Sequence, residues 1–195
     1  MNFTQNDVAE KIAYEWISTK QENVDVKSEY YCQTRDIFQA KLGKMTMELL
    51  RNNSIMENDI YIISAIAGEI GNNSFDHNLG NWPDVAGAFF GYFFENGKLK
   101  IILADRGRGI LITLKKAKPE LKNDAEALKT AFTEKISGRT PENRGNGLKF
   151  VRENVEDKKM HLIFISGNGK MELNEKMEIK EITENIRGCL AILSI

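Results

Sequence analysis

The sequence predicts an α+β protein, a two-layer α/β sandwich in which helices cover one face of a mixed, mostly antiparallel sheet. Three observations predict this class. Apolar residues follow helical spacing through much of residues 4–79, an Asn96-Gly97 dipeptide separates two apolar runs as in a β-hairpin, and further strands alternate with helices after it. A chain of 195 residues is long enough to bury one sizeable core.

The first 54 residues are predicted to form a helical extension that packs on a main domain at residues 55–195. Residues 4–20 have the pattern of an amphipathic helix, with packing on the domain favoured over binding a partner. Its apolar side carries Val8, Ile12, Trp16 and Ile17. A short strand is predicted at residues 29–33. The next helix, residues 35–52, directs five apolar side chains inward: Phe38, Leu42, Met45, Leu49 and Leu50.

A long central helix is predicted over about residues 55–79. Ser54 and Glu57 match a Ser-x-x-Glu capping box at its start. Gly80, with Pro83 just beyond, provides the stop signal. We therefore expect about seven helical turns in this segment.

One face of the central helix is polar. Residues four apart share a helix face, so Glu69, Asn73 and His77 point one way, with Asp76 alongside. The remaining faces are apolar and are expected to face the core. The polar stripe is therefore predicted to line a cavity rather than open solvent, and such a cavity favours a ligand.

The second half of the chain mixes strands and helices. A hairpin is predicted from strands at residues 85–94 and 99–104. Helices are expected at residues 110–115, 124–136 and 147–155, and later strands at residues 160–166, 170–173 and 188–195. A Gly167-Asn168-Gly169 turn is predicted between the first two of these strands, and residues 137–146 have the composition of a loop.

Composition narrows the function classes. The 27 basic and 28 acidic residues nearly cancel, so no overall charge favours nucleic acid or an anionic membrane. Cys32 and Cys189 lack metal-binding spacing, which indicates two reduced thiols. The N-terminus lacks the basic segment and apolar run of a signal peptide, and no apolar stretch approaches the ~20 residues of a membrane span. The sequence therefore predicts a cytoplasmic protein.

Three short motifs carry candidate chemistry. They are the stripe Glu69/Asn73/His77, the segment Asp105-Arg106-Gly107-Arg108-Gly109, and the segment Arg144-Gly145-Asn146-Gly147-Leu148-Lys149. Taken alone, the first also fits a polar helix face, and the other two fit ordinary glycine turns and a solvated basic loop. Other phosphate-binding signatures are absent from the sequence, including Gly-x-x-x-x-Gly-Lys-Ser/Thr. The order of the three motifs is therefore the informative feature.

Together the motifs resemble the GHKL superfamily of ATP-binding domains, which includes histidine kinases, anti-sigma-factor serine kinases and type II topoisomerases. The asparagine box matches at Glu69 and Asn73, the Asp-x-Gly-x-Gly box at Asp105, Gly107 and Gly109, and the Gly-x-Gly lid box at Gly145 and Gly147. The match spans residues 55–195, and the Glu-x-x-x-Asn-x-x-x-His form looks closest to the anti-sigma-factor kinases. The resemblance implies the Bergerat fold, with a lid at about residues 115–146.

The resemblance implies ATP and Mg²⁺ as cofactors. Glu69 is the implied catalytic residue, which orients or deprotonates an attacking water or hydroxyl, and Asn73 is the implied metal ligand. Asp105 is expected to accept a hydrogen bond from the adenine amino group. Further nucleotide contacts are implied at Asn73, His77, Gly107, Gly109, Gly145, Gly147, Leu148 and Lys149.

Two functions stay open on the sequence alone. The first is an enzyme, an ATPase or protein serine kinase, that binds Mg-ATP and hydrolyses it or phosphorylates a protein partner. The second is a non-catalytic module in which ATP gates a partner surface. ATP and a protein partner or phosphoacceptor are the expected partners, nucleic acid and membrane are not expected, and a homodimer stays open. A third possibility is that the motifs are coincidental turns.

Overall fold

The computed structural model describes residues 8–52, 55–95, 97–135 and 147–195. The protein is an α+β fold with a five-stranded antiparallel open sheet packed against helices. The predicted class is confirmed. Within the described ranges, no helix combines the length and apolar character needed to cross a membrane.

The described elements follow the predicted order closely. They are α1 (Val8–Ser18), β1 (Tyr31–Cys32), α2 (Arg35–Asn52), α3 (Glu57–Asn78), β2 (Ala88–Glu95), β3 (Lys98–Asp105), α4 (Gly109–Leu114), α5 (Asp124–Thr133), α6 (Gly147–Asp157), β4 (His161–Leu173) and β5 (Met177–Ser194). Helix α2 has the predicted bounds. The largest difference is β5, which begins well before the predicted residue 188.

The sheet order is β1-β2-β3-β5-β4, and each described pair is antiparallel. The described strands are therefore all antiparallel, whereas the sequence predicted a mixed, mostly antiparallel sheet. Asp105, the last residue of β3, lies opposite Cys189 of β5. This register brings two distant segments of the chain together at one end of the sheet.

Helices pack on both faces of the sheet. The larger core joins α2, α3, α5 and α6 to one face, with Met45, Ile63, Leu128 and Val151 buried against it. The other face carries α1, whose Ala9, Ala13, Trp16 and Ile17 are buried. Side chains alternate along a strand, so Ile101 and Leu103 of β3 face the larger core while Ile102 and Ala104 face α1. Helix α1 therefore covers the face of the sheet that the predicted one-sided arrangement left without helices.

The start of α3 differs from the prediction. The helix begins at Glu57, with Met56 at the N-cap position and no side-chain capping bond. Ser54, predicted as the cap, lies outside the described residues. The N-cap position at Met56 falls two residues later than the sequence pattern predicted. The helix ends next to Gly80 as expected.

Strand β4 bends sharply at the glycines in its middle. His161 Nε2 lies 3.1 Å from Glu172 Oε1, whereas eleven residues of straight strand would span about 36 Å. The β4–β5 register is irregular between Ser166 and Gly169, and the backbone N–H of Asn168 donates to Asp124 Oδ2 at 3.2 Å. Instead of the predicted turn between two strands, β4 is one strand with an irregularity at this place, and its pairing with β5 continues on both sides.

The predicted divisions of the chain stay predictions. Strand β1 pairs with β2 and α2 packs in the larger core, so residues 31–52 share the core of the predicted main domain. The predicted lid includes α5, whose Leu128 and Phe132 are fully buried in that core. The last part of the predicted lid, residues 136–146, lies outside the described residues.

Candidate functional site

A pocket opens between α3, α4 and α6 and the ends of the central strands. It encloses about 520 Å³, part of it continuous with open solvent. Five residues singled out from the sequence line it: Asn73, His77, Asp105, Gly109 and Leu148. Its other lining residues are Ile70, Ser74, Asn78, Leu103, Ala104, Ile110, Thr113, Phe164, Cys189 and Ala191. The pocket is therefore apolar apart from a few polar groups on α3, α4 and the strand ends.

Asp105 is the buried charge-bearing group of the pocket. Its Oδ2 accepts a hydrogen bond from Ser74 Oγ at 2.9 Å, and its Oδ1 accepts from the backbone N–H of Gly107 at 2.8 Å. Asn78 Nδ2 lies 3.5 Å from the same Oδ1. Burial raises the pKa of Asp105 to about 6, against the opposing effect of these hydrogen bonds. The carboxylate is thus held in one orientation at the pocket floor.

Gly107 supports Asp105 from behind rather than lining the pocket. A Cβ at Gly107 would lie 2.1 Å from Asn78 Nδ2. The Asn78 side chain fills that space, where its Oδ1 accepts from the backbone N–H of Arg108 at 3.0 Å. Glycine is needed here because the Asn78 amide ties α3 to the loop that follows β3.

The second glycine of this segment shapes the pocket wall. A Cβ at Gly109 would lie 3.0 Å from Ser166 Oγ, and that hydroxyl accepts from the backbone N–H of Ile110 at 2.9 Å. Ser166 is fully buried. The start of α4 is therefore fixed against β4 on the far side of the pocket from α3.

Two of the three residues in the polar stripe of α3 reach the pocket. Asn73 and His77 line the pocket, together with Ile70 and Ser74. Glu69 is exposed and lies outside the lining. The prediction of a cavity is confirmed for two of the three stripe residues.

Glu69 lies at the rim, beside the start of α6. Its Oε2 is 2.6 Å from the position that a Cβ of Gly147 would take, and Asn73 Nδ2 is 3.6 Å from it. Glycine at residue 147 leaves room for this approach. The N-terminus of a helix carries partial positive charge, so it favours the Glu69 carboxylate or another anion there.

The remaining residues of the third motif separate. Leu148 lines the pocket, whereas Lys149 points along α6 and pairs with Glu153 at 3.8 Å. Gly145 lies outside the described residues. Of the predicted basic contacts, Lys149 is therefore engaged away from the pocket.

His77 presents a ring that is easily kept neutral. Burial and the nearby positive charge of Lys116 both lower the pKa of His77. The residue precedes Asn78, whose side chain reaches the Asp105 loop, so the ring lies near the floor end of α3. A flat neutral ring at this place suits stacking on another flat ring better than pairing with a phosphate.

Several residues that build this site lie outside the three sequence motifs. Ser74 and Asn78 hold Asp105, and their spacing of four on a helix next to the polar stripe was an available signal. Phe164 and Cys189 reach the pocket only through strand pairing, for which the sequence has no local signal. Burial, followed by the charge of Asp105, raises the pKa of the Cys189 thiol well above its usual value, which makes it a packing residue.

The comparisons with known proteins leave the family open. No protein-family model matches the chain, and no curated protein matches it. In the described part of the chain, no three metal-binding side chains of the His, Cys, Asp and Glu types come together. The geometry alone therefore indicates an apolar pocket with one oriented carboxylate at its floor and amide and carboxylate groups toward its rim.

Proposed function

We propose that this protein binds Mg-ATP in the pocket, with the adenine at Asp105, as the resemblance to the GHKL superfamily implies. The observation that carries the proposal is the buried Asp105 carboxylate at the floor of an apolar pocket. A purine is a flat, largely apolar ring with polar edges, so it fits walls formed by Ile110, Leu148 and Phe164. The proposed ligand is ATP, and the proposed location of the protein is the cytoplasm.

Asp105 gives the proposed pocket its base selectivity. Its Oδ2 already accepts from Ser74 and can accept one more donor from the pocket side. The adenine amino group is such a donor. Guanine has a carbonyl oxygen at the corresponding position, which the carboxylate repels, so the pocket selects ATP over GTP.

The phosphates would extend along α3 toward its N-terminal side. Asn73 precedes Asn78 by five residues, which is about 7.5 Å along a helix, and Glu69 is about another 6 Å away. Asn73 offers an amide oxygen, a hard ligand that suits Mg²⁺ together with phosphate oxygens and water. The N-terminus of α6 beside Gly147 supplies backbone N–H groups for phosphate.

Glu69 separates two forms of this function. In the first form it orients or deprotonates a water or a hydroxyl of a protein partner, and the protein hydrolyses ATP or transfers its phosphoryl group. In the second form the protein is a non-catalytic module gated by ATP. The exposure of Glu69 outside the pocket lining favours this second form.

Thermal unfolding tests ATP binding. Mg-ATP at about 100 times its dissociation constant is expected to stabilise the protein by about 2.7 kcal/mol, a midpoint shift of about 5–10 °C, while Mg-GTP gives none. Asp124→Asn, which changes another carboxylate bonded to backbone, should keep the shift, and Asp105→Asn should lose it. Equal shifts with ATP and GTP, or none with either nucleotide, would refute the proposed pocket.

A substitution at Glu69 tests turnover. If the protein is an enzyme, Glu69→Gln is expected to lower ATP turnover about 100-fold while the ATP-induced thermal shift stays, because a general base typically contributes 10²–10⁴-fold. Glu57→Gln on the first turn of the same helix is the matched control and should leave turnover unchanged. Equal, measurable turnover in the Glu69 variant and wild type would refute the role of Glu69, whereas wild-type protein that binds ATP without turning it over would establish the non-catalytic form.

A further inference from the structure

A second buried polar cluster lies behind the floor of the pocket, against α1. Its centre is Arg106, which is 3% exposed. Arg106 Nη1 donates to the carbonyl oxygens of Trp16 and Ile17, each at 2.8 Å. Its Nη2 donates to the carbonyl oxygen of Thr19 and to Asp84 Oδ2, each at 2.7 Å.

These contacts close the C-terminal end of α1. The last carbonyl groups of a helix have no partner within the helix, and burial without one is costly. Here one guanidinium serves two such carbonyls and the carbonyl of Thr19 just beyond the helix. It also shares its charge with Asp84, whose side chain is 1% exposed. The Asp84 carboxylate also accepts a hydrogen bond from Arg187. The cluster is therefore a built attachment of α1 to the sheet.

Both arginines of the cluster lie within two residues of a pocket residue along the chain. Arg106 lies between Asp105 and Gly107, and Arg187 precedes Gly188 and Cys189. The Arg106 side chain points to α1, while the Asp105 side chain faces the pocket. One loop therefore reaches the nucleotide pocket on one face of the sheet and α1 on the other.

We propose that Arg106 is a positioning residue that couples the docking of α1 to nucleotide binding at Asp105. The inference rests on the proposed function. A buried guanidinium that loses its carbonyl acceptors is left uncompensated, so Arg106 must move when α1 leaves the sheet. Its movement displaces Asp105 and Gly107, to which it is covalently joined. Nucleotide, which needs those residues in place, holds α1 on the sheet.

The coupling acts in both directions. If nucleotide strengthens the docking of α1 by some factor, then loss of α1 weakens nucleotide binding by the same factor. A protein that captures the apolar side of α1, which carries Ala9, Ala13, Trp16 and Ile17, would therefore release nucleotide. The N-terminal helix is thus a regulatory input to the pocket.

Hydrogen–deuterium exchange of the full chain tests the coupling. Saturating Mg-ATP is expected to slow amide exchange in residues 8–18 about 5-fold or more, within the usual range of allosteric coupling. In Arg106→Lys the slowing should disappear, because an ammonium cannot form the planar fork that serves four acceptors. Titration calorimetry should show that this variant still binds ATP, with lower affinity.

Glu10→Gln provides a matched control on the same helix. Glu10 pairs with Lys100 Nζ at 2.9 Å, about 17 Å along β3 from Asp105. This variant should speed exchange of α1 with and without nucleotide and leave the ATP-dependent ratio unchanged. Equal loss of the ratio in both variants would overturn the role of Arg106.

The wild-type result separates the two proposals. If ATP shifts the unfolding midpoint but leaves exchange of α1 unchanged, the coupling is wrong and the proposed function stands. If ATP does not bind, the proposed function fails, and the coupling fails with it. Because both readings use wild-type protein, they do not depend on whether Arg106→Lys folds.

Discussion

Gly188→Ala is expected to destabilise the protein by about 3 kcal/mol or more. Gly188 has φ +76°, which strains any residue with a Cβ. An added Cβ would also lie 2.0 Å from the Asp105 carbonyl oxygen and 2.6 Å from both Asp105 Oδ1 and the Gly107 backbone nitrogen. These atoms belong to the paired end of β3 and its following loop, so they cannot move without breaking sheet or loop hydrogen bonds.

Two other glycines separate the clash from the backbone strain. Gly97 and Gly80 have φ +77° and +71°, and a Cβ at either would meet nothing within 4 Å. Alanine at these positions should therefore cost only about 1 kcal/mol. Urea unfolding, read from the midpoint at constant m-value, measures all three variants. A cost for Gly188→Ala no larger than for Gly97→Ala would mean that the floor of the pocket yields easily.

Elements with a complete local pattern were predictable from the sequence. Helix α2 has buried residues at regular helical spacing, and its bounds were correct. The hairpin of β2 and β3 was predicted because apolar runs flank a strong turn signal. The first half of β5 was missed because its charged residues face solvent along a segment that pairs only with β4. The helix on the second face of the sheet is α1. Its position there was not predictable, because it depends on tertiary contacts.

The candidate site was also predictable in part, because some of its residues belong to local sequence motifs. Chemical type and order pointed to Asn73, His77 and Asp105, which line one pocket. The exposed position of Glu69 was not predictable, because the sequence pattern does not show how far along α3 the pocket extends. The role of Arg106 was not predictable either, because its side chain leaves on the face of the sheet opposite the pocket.

Asp105→Asn is expected to make the protein more stable at pH 7 while abolishing nucleotide binding. The pKa of Asp105 is about 6 in the folded protein against an ordinary value of 3.8, so the folded state binds this proton more tightly than the unfolded chain. Stability therefore falls as pH rises between about 4 and 6, by about 3 kcal/mol in total. Asparagine does not titrate, so the variant escapes this loss and gains up to about 3 kcal/mol over wild type above pH 6.

The stability difference between the two proteins isolates this carboxylate. His77, whose pKa is lowered in the folded state, costs stability on acidification in wild type and variant alike, so its effect cancels. Chemical denaturation from pH 4 to pH 8 should show the variant pulling ahead of wild type as pH rises. A difference that stays constant across this range would mean that Asp105 titrates normally.

The same substitution reverses the hydrogen-bonding character of the pocket floor. Gly107 N–H and Asn78 Nδ2 both approach Oδ1, so the amide oxygen of asparagine must occupy that position. The amide nitrogen then replaces Oδ2 and presents a donor to the adenine amino group, which is also a donor. ATP affinity should fall at least about 100-fold, because a polar group in the site is left unpaired. Calorimetric titration at pH 7 measures this loss, and an Asp105→Asn protein that is both more stable and still binds ATP tightly would place the base elsewhere. If the base does lie at Asp105, the substitution also removes the selectivity for adenine. Among the described lining residues, Asp105 is the carboxylate that distinguishes an amino group from a carbonyl.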